Sequence, residues 1–306
     1  MTRTYRQGDK IARMKTLRSY LLLACVILLI TACTQVPKSP DPVQTAAPPA
    51  PPKIALVLGG GAAKGFAHIG VIKALEAQGI VPDMVLGTSA GAVVGVLYAA
   101  GYNGFELQKI ALQLEEAQLS DWSLPDRGVI KGEALQNFIN KTLQGRTLEK
   151  LNRPFGAVAT DLNSGESIVF RKGDSGMAVR ASASVPGVFQ PVNINGKEYV
   201  DGGLVSPVPV RAARAMGADF IIAVDISSRP LQAKTRSTFD VLMQTFSIMG
   251  QAISQYELSG ASVVIRPAIH EISSTDFQTR HLAVLEGEKA ASVMMQEIKT
   301  KLQKLR

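Results

Sequence analysis

The chain has 306 residues, 46% of them hydrophobic, and is long enough to bury a sizeable core. Most of its net charge of +8 lies near the start: residues 1–32 hold six Lys or Arg and one acid, which leaves +3 for the remainder. Because this positive excess is small, charge does not favour nucleic-acid binding, and we expect no nucleic-acid partner. The only cysteines are Cys25 and Cys33, so the rest of the chain has no disulfide and no cysteine-based metal site.

The first 32 residues have the pattern of a secretory signal peptide. Basic residues precede the apolar run 21–30, and the small residues of "ITAC" lead to Cys33. The run is half the roughly 20 residues that a membrane-spanning helix needs. "LITAC" resembles the lipobox of bacterial lipoproteins, which implies cleavage before Cys33 and lipid attachment to it. An uncleaved N-terminal anchor is the alternative, and translation starts at Met1 or Met14.

Residues 34–52 contain seven of the chain's 16 prolines, and such a segment cannot bury a core. We expect an extended tether that reaches about 60 Å at roughly 3.1 Å per residue. The expected organisation is a signal peptide (1–32), a lipidated Cys33 with its tether (33–52), and a folded domain (53–306). The protein would then be lipid-anchored in the bacterial cell envelope. Thr34, in place of aspartate, after Cys33 implies the outer membrane if the source has two membranes.

From residue 53 onward, apolar strand patterns alternate with helix patterns. This alternation predicts an α/β fold with a mostly parallel sheet and helices on both faces. The predicted strands are 53–58, 83–87, 154–162, 165–170, 218–227 and 262–267, and the predicted helices are 66–79, 90–101, 104–118 and 132–143.

The second strand ends in "GTSAG", from Gly87 to Gly91, with Ser89 at its centre. In a strand–turn–helix context, G-x-S-x-G is the nucleophile elbow, which exposes the serine hydroxyl at the end of the sheet. The motif alone also fits a plain tight turn. The buried strand before it and the small-residue helix after it favour the elbow.

The first strand runs into the glycine loop "GGGAAKG", which fails both templates for nucleotide phosphates. A P-loop anchored on Gly60 and Gly65 would have Phe66 where it needs lysine. A dinucleotide fingerprint that begins at Gly59 would have Lys64 at its last glycine, where bulk is not tolerated. We therefore expect no nucleotide and no other cofactor.

Backbone N–H groups at the start of a helix also suit the oxyanion of an acyl-transfer reaction. The expected donors are Gly60, Gly61 and Ala62. Lys64 adds positive charge nearby or is a solvated loop lysine. Further along, "DGG" is either a turn or a catalytic aspartate, Asp201, that the apolar segment 181–192 holds in place.

These three motifs, in this order, resemble the bacterial branch of the patatin-like phospholipase family over residues 53–225. The resemblance implies a three-layer α/β/α fold and a lipid acyl-ester hydrolase without metal or cofactor. It implies a dyad of nucleophile Ser89 and base Asp201, with a membrane lipid as substrate. Lys64 departs from the arginine of many members and puts an anion-binding role there in doubt. The supporting motif residues are Gly59, Lys64, Gly65, Gly87, Gly91, Gly202 and Gly203.

The histidines and the apolar region 237–258 each leave alternatives open. A Ser–Asp–His order along the chain would admit His270 or His281 as a triad base, whereas His68 fits a structural residue or a helper near the site. Asp161 is expected to be a turn carboxylate. The apolar side chains of region 237–258 predict a core-facing stripe or the wall of an acyl-chain groove: Phe239, Leu242, Met243, Phe246, Met249 and Ile253.

The main alternative function is a non-catalytic lipoprotein that binds a lipid or a protein partner. A nucleotide-binding α/β protein is disfavoured by the failed phosphate templates. The sequence does not predict the oligomeric state.

Overall fold

The computed structural model describes residues 51–305 except 116–120, 122–126, 228–234, 270–271 and 273–276, together with residues 14 and 18. Cys33 and nearly all of the predicted signal and tether lie outside these residues, as does His270. Residues Ala50–Arg306 form a compact unit, and its buried hydrophobic clusters lie between Ala55 and Leu302. This unit therefore contains its own hydrophobic core.

An eight-stranded sheet forms the middle of this unit, in the order β5-β6-β3-β2-β1-β7-β8, with β4 also paired to β3. Strands β3, β2, β1, β7 and β8 run parallel, whereas β4, β5 and β6 pair antiparallel. The predicted mostly parallel sheet is thus confirmed. The strands are β1 (Ile54–Leu58), β2 (Met84–Thr88), β3 (Phe155–Asp161), β4 (Ser167–Phe170), β5 (Val192–Ile194), β6 (Lys197–Asp201), β7 (Phe220–Val224) and β8 (Val263–Ile265).

Helices cover both faces of the sheet, because its central strands are apolar on both sides. In β1, Leu56 and Leu58 belong to one hydrophobic cluster, and Ala55 and Val57 belong to another. Within the described residues, no helix is long and apolar enough to cross a membrane. The α-helices are α1 (Phe66–Ala77), α2 (Ala90–Ala99), α3 (Gly104–Gln113), α4 (Glu133–Thr142), α5 (Ser175–Ser182), α6 (Val210–Ala215), α7 (Thr238–Leu258) and α8 (Arg280–Gln303).

The pairing register of β3 brings the ends of β2 and β6 together. Ala157 and Val158 pair with both β2 and β4, so β2 and β4 lie at opposite edges of β3. Ala159 and Thr160 pair with both β4 and β6, which places β6 at the same edge as β2. Because β6 is antiparallel to β3, its carboxyl end meets the carboxyl end of β2. Local sequence patterns do not encode this meeting point.

Candidate active site

Ser89 lies on a strained turn between β2 and α2. Its φ of 54° and ψ of −121° are unfavourable for a residue with a side chain. The flanking glycines permit the turn, because a Cβ on Gly91 would lie 2.0 Å from the Leu58 carbonyl oxygen. A Cβ on Gly87 would lie 2.3 Å from the Gly91 carbonyl oxygen. The turn therefore needs glycine on both sides of the serine.

Ser182, at the end of α5, supports this turn through hydrogen bonds. The Ser89 N–H donates to Ser182 Oγ at 3.0 Å, and Ser182 Oγ donates to the Val158 carbonyl oxygen at 2.6 Å. Ser182 is fully buried, so its bond to the Val158 carbonyl oxygen is shielded from water. The elbow is thus joined to β3 at the point where β2 ends. Sequence reasoning missed this residue.

Asp201 ends β6 beside the elbow, as the strand register requires. On β3, Asp201 pairs with Ala159. The residue before it, Val158, pairs with Thr88, which directly precedes Ser89. Its N–H donates to the Ser184 carbonyl oxygen at 2.9 Å. Ser184 belongs to the segment 181–192 that was predicted to hold the aspartate in place, and this contact agrees with that prediction.

The carboxyl group of Asp201 is buried and only partly hydrogen-bonded. Oδ1 accepts the Gly203 N–H at 2.7 Å, whereas Oδ2 has no hydrogen-bond partner in the part of the chain that the structure describes. Burial raises the pKa of Asp201 to about 6, against the opposing effects of the Ser89 hydroxyl and the Gly203 N–H. A carboxylate with this pKa is a better proton acceptor near neutral pH than an ordinary aspartate.

The glycine loop follows β1 and lies against the elbow, because a Cβ on Gly60 would come within 3.3 Å of Ser89 Cβ. The Gly60 N–H, however, donates to the Pro207 carbonyl oxygen at 3.0 Å. The N–H of Gly60, one of the three predicted oxyanion donors, thus already has a backbone acceptor in this structure. The N–H groups of Gly61 and Ala62 have no backbone acceptor among the described residues and remain candidate donors.

Two side chains that follow the loop have different environments. His68 is fully buried, and its Nε2 donates to the Gly59 carbonyl oxygen at 2.8 Å. Burial lowers the pKa of His68 to about 4, so the ring is neutral and braces the loop as a structural residue. Lys64 is also buried, and desolvation lowers its pKa. Lys64 is therefore not the solvated loop lysine that was one of its two expected roles.

Ser89, Asp201 and the glycine loop open onto one cavity of about 670 Å³. Its walls are mostly apolar and include Val94, Phe189, Met243 and Phe246. A cavity of this size and character fits a hydrocarbon chain better than a polar substrate. Met243 and Phe246 confirm that α7 forms part of a groove wall.

The remaining predictions concern residues away from this cavity. The Asp161 carboxylate accepts the N–H groups of Asn163 and Ser164, as expected of a turn carboxylate. His281 is exposed on α8 and does not line the cavity, which removes it as a triad base. The core-facing stripe expected for region 237–258 is wrong at Leu242 and Met249, which are more than half exposed.

A serine on a strained turn after a buried parallel strand, beside a buried carboxylate, is the nucleophile-elbow arrangement of α/β serine hydrolases. Residues 56–214 match the family model of patatin-like phospholipases. The chain therefore belongs to the patatin-like phospholipase family.

Curated relatives match part of the chain. An uncharacterised NTE family protein of Mycobacterium tuberculosis is 38% identical over 178 residues, which cover 58% of this chain and 49% of that protein. Human patatin-like phospholipase domain-containing protein 6 is 35% identical over 184 residues, which cover 58% of this chain and 13% of that protein. The chain thus matches half or less of the length of these relatives.

The fold has a solved counterpart in VipD from Legionella pneumophila. The two structures align with a TM-score of 0.57 at 17% sequence identity, over 82% of this chain and 67% of VipD. This likeness supports the α/β architecture.

Proposed function

We propose that the protein is a serine acyl-ester hydrolase that cleaves fatty-acyl esters of phospholipids, lysophospholipids or related lipids. The observation that carries the proposal is the pairing of a strained Ser89 with a buried Asp201 at the base of an apolar cavity. Family membership supports lipid hydrolysis in general, and the cavity walls favour an acyl chain over a polar group.

In the proposed reaction, Ser89 Oγ attacks the ester carbonyl carbon while Asp201 accepts the hydroxyl proton. The N–H groups of Gly61 and Ala62 donate to the resulting oxyanion. The ester C–O bond then breaks, and the departing alcohol takes the proton from Asp201. This leaves an acyl group on Ser89. Water then attacks the acyl carbon while Asp201 accepts a proton from the water. The bond between that carbon and Ser89 Oγ breaks, Asp201 returns the proton to Ser89 Oγ, and the fatty acid leaves.

We further propose that lipidation of Cys33 anchors this enzyme in the cell envelope, in the outer membrane where two membranes exist. Residues 34–52 would then act as its tether. Mass spectrometry of the protein purified from its membrane would show diacylglycerol and acyl mass on a chain beginning at Cys33. An unmodified N-terminus upstream of Cys33 would contradict lipidation.

A fluorophosphonate probe tests the nucleophile, because it reacts covalently with activated serines. Residues 50–306 should label at one site, and Ser89→Ala should abolish labelling. Ser292→Ala, a change of the same kind at an exposed serine of α8, should leave labelling intact. Labelling that survives in Ser89→Ala would contradict the proposed nucleophile.

Lipid hydrolysis tests the substrate class. Mixed vesicles and lysophospholipid micelles would be incubated with residues 50–306, and released fatty acids measured by mass spectrometry. Asp201→Asn should lower the rate by about 100-fold or more, the usual contribution of a general base. Full activity in Asp201→Asn would exclude the dyad, and probe labelling without release of any fatty acid would indicate a different acyl substrate.

A further inference from the structure

The outward side of α7 is an apolar surface without charge. We define this α7 outer face by its exposed residues. Five of its members are large, with Tyr256 71% exposed and the other four each just over half exposed. They recur at the spacing of one side of a helix. The face consists of Val241, Leu242, Thr245, Ile248, Met249, Ala252, Gln255 and Tyr256.

Neither charged residue of α7 lies on this face. Asp240 caps the helix and accepts the N–H groups of Arg236 and Ser237, and Glu257 is buried. The outward side of α8 is different, since it bears exposed ion pairs such as Lys301–Glu297. A helix surface exposed to water is normally polar and charged, so the α7 outer face is suited to an apolar environment.

The opposite side of the same helix lines the candidate active-site cavity through Met243, Phe246 and Gln251. An α-helix with its side chains is about 10–12 Å across. The uncharged outer face is therefore about one helix diameter from the cavity that Ser89 also lines. A bilayer in contact with the outer side of α7 would then have only this helix between it and the cavity.

Cationic side chains flank both ends of this face. Arg236 is exposed just before α7. Near the other end, the guanidinium of Arg211 lies 5.8 Å from the ring centre of Tyr256. Its Nε pairs with the buried Glu257 at 3.2 Å, but the side chain stays 62% exposed. Arginine side chains extend toward phosphate groups at a bilayer surface, and tyrosine rings favour the same interface. Apolar residues between basic ends are typical of a surface that enters an anionic lipid layer.

We propose that the α7 outer face docks on an anionic phospholipid bilayer and places the cavity beside its substrate. The proposal rests on the proposed lipid hydrolysis, since it names how that site reaches its lipid. A second copy of the chain fits the surface less well. The face has eight residues on one helix, whereas a standard protein interface uses about 20–30 residues on each side.

Vesicle flotation tests docking without requiring catalysis. Residues 50–306, which lack the lipidation site, would be mixed with vesicles of phosphatidylethanolamine and phosphatidylglycerol, or of phosphatidylcholine alone. We expect wild type and Ser89→Ala to float equally with the anionic vesicles and less with phosphatidylcholine. The double variant Ile248→Glu, Met249→Glu should lose about tenfold or more of its vesicle partition.

The matched control is Leu285→Glu, Val293→Glu, which introduces the same charges at two exposed apolar positions of α8. It should float like wild type, and thermal denaturation of both double variants establishes that they are folded. Equal flotation of the two double variants, absence of wild-type flotation, or equal binding to phosphatidylcholine would overturn the proposal. So would a dimer in analytical ultracentrifugation that the α7 variant alone dissociates.

The docking proposal and the hydrolase proposal can be contradicted independently. Probe labelling of Ser89 without vesicle binding would overturn docking and leave the hydrolase intact. Vesicle binding without labelling would overturn the proposed hydrolase and leave a lipid-surface protein. If both hold, the ratio of vesicle hydrolysis to hydrolysis of a soluble short-chain ester should fall in the α7 variant and not in the α8 control.

Discussion

Ser182 Oγ lies between the Ser89 N–H, which it accepts at 3.0 Å, and the Val158 carbonyl oxygen, to which it donates at 2.6 Å. One buried hydroxyl thus satisfies two backbone groups at the end of two strands. Strained turns persist only where their surroundings hold them firmly. We infer that Ser182 helps to hold the elbow that carries Ser89.

Replacing Ser182 with alanine should therefore destabilise the fold and the turn together. The Ser89 N–H and the buried Val158 carbonyl oxygen each lose a hydrogen bond, which costs about 1–3 kcal/mol of unfolding free energy. Chemical denaturation measures that cost, and the rate of fluorophosphonate labelling measures the effect on Ser89. Ser292→Ala should change the unfolding free energy by less than about 0.5 kcal/mol, as an exposed position does. A Ser182→Ala protein as stable as this control would contradict the inference.

The motifs predicted the two catalytic candidates, but not how they meet. "GTSAG" and "DGG" identify Ser89 and Asp201 from local chemistry. Their proximity depends on β6 pairing antiparallel at Ala159, and pairing register between distant strands leaves no short sequence signature. Ser182 was invisible for a related reason. From the sequence alone, a serine among small residues is interpreted as a packing residue. Only the structure shows what its hydroxyl contacts.

The other differences also arise from long-range contacts. A row of glycines predicts backbone donors, but not that the Gly60 N–H is taken by Pro207. Apolar spacing predicted a helix at region 237–258, and α7 confirms it. That spacing cannot separate a helix buried in a core from one with a cavity on one side and an exposed apolar face on the other, because both sides are apolar.

The raised pKa of Asp201 predicts opposite effects of pH on activity and on stability. Ionisation provides the base, so the labelling rate should rise as the pH increases through about 6. Burial disfavours that same ionised form. Stability associated with the protonated carboxyl is complete below the reference pKa of 3.8 and is lost as the pH rises through about 6.

Asp201→Asn separates these two effects. It should abolish the pH dependence of labelling and raise the unfolding free energy at pH 8 by up to about 3 kcal/mol, with little change at pH 4. Asp161→Asn should instead lower the unfolding free energy at pH 8, because hydrogen bonding from the Ser164 backbone stabilises the ionised carboxylate and lowers the pKa of Asp161. Equal unfolding free energies of Asp201→Asn and wild type at pH 8 would contradict the assigned burial cost.

His68 should make the unfolding free energy depend on pH in the opposite direction from Asp201, so that acid destabilises the protein. Burial lowers its pKa from 6.5 to about 4, so the unfolded chain binds a proton that the folded chain excludes. Stability is then complete above pH 6.5 and is lost as the pH falls toward about 4, by about 3 kcal/mol. His68→Gln keeps an N–H donor for the Gly59 carbonyl oxygen without a titrating group. Urea unfolding of this variant between pH 4 and 7 should show a flatter acid limb than wild type, and an unchanged limb would assign the acid sensitivity elsewhere.

Glu257 should stabilise the segment that follows Asp201. Its carboxylate is buried on α7 and accepts the Ser206 hydroxyl at 2.7 Å and the Val210 N–H at 2.9 Å. The Ser206 carbonyl oxygen in turn accepts the hydroxyl of Thr88, the residue before the nucleophile, at 2.8 Å. Glu257 is therefore linked through Ser206 to the end of β2.

Glu257→Ala leaves the buried Ser206 hydroxyl and Val210 N–H without an acceptor and should cost about 1–3 kcal/mol of unfolding free energy for each. Glu297→Ala is its matched control. Glu257 pairs with Arg211 at 3.2 Å, and Glu297 likewise lies on a helix and pairs with a cation. The Glu297 pair is exposed on both sides and worth at most about 1 kcal/mol. Labelling of Ser89 should slow in Glu257→Ala and not in the control, because only Glu257 connects to the elbow. Comparable unfolding free energies for the two variants would show that the buried carboxylate is not what holds this segment in place.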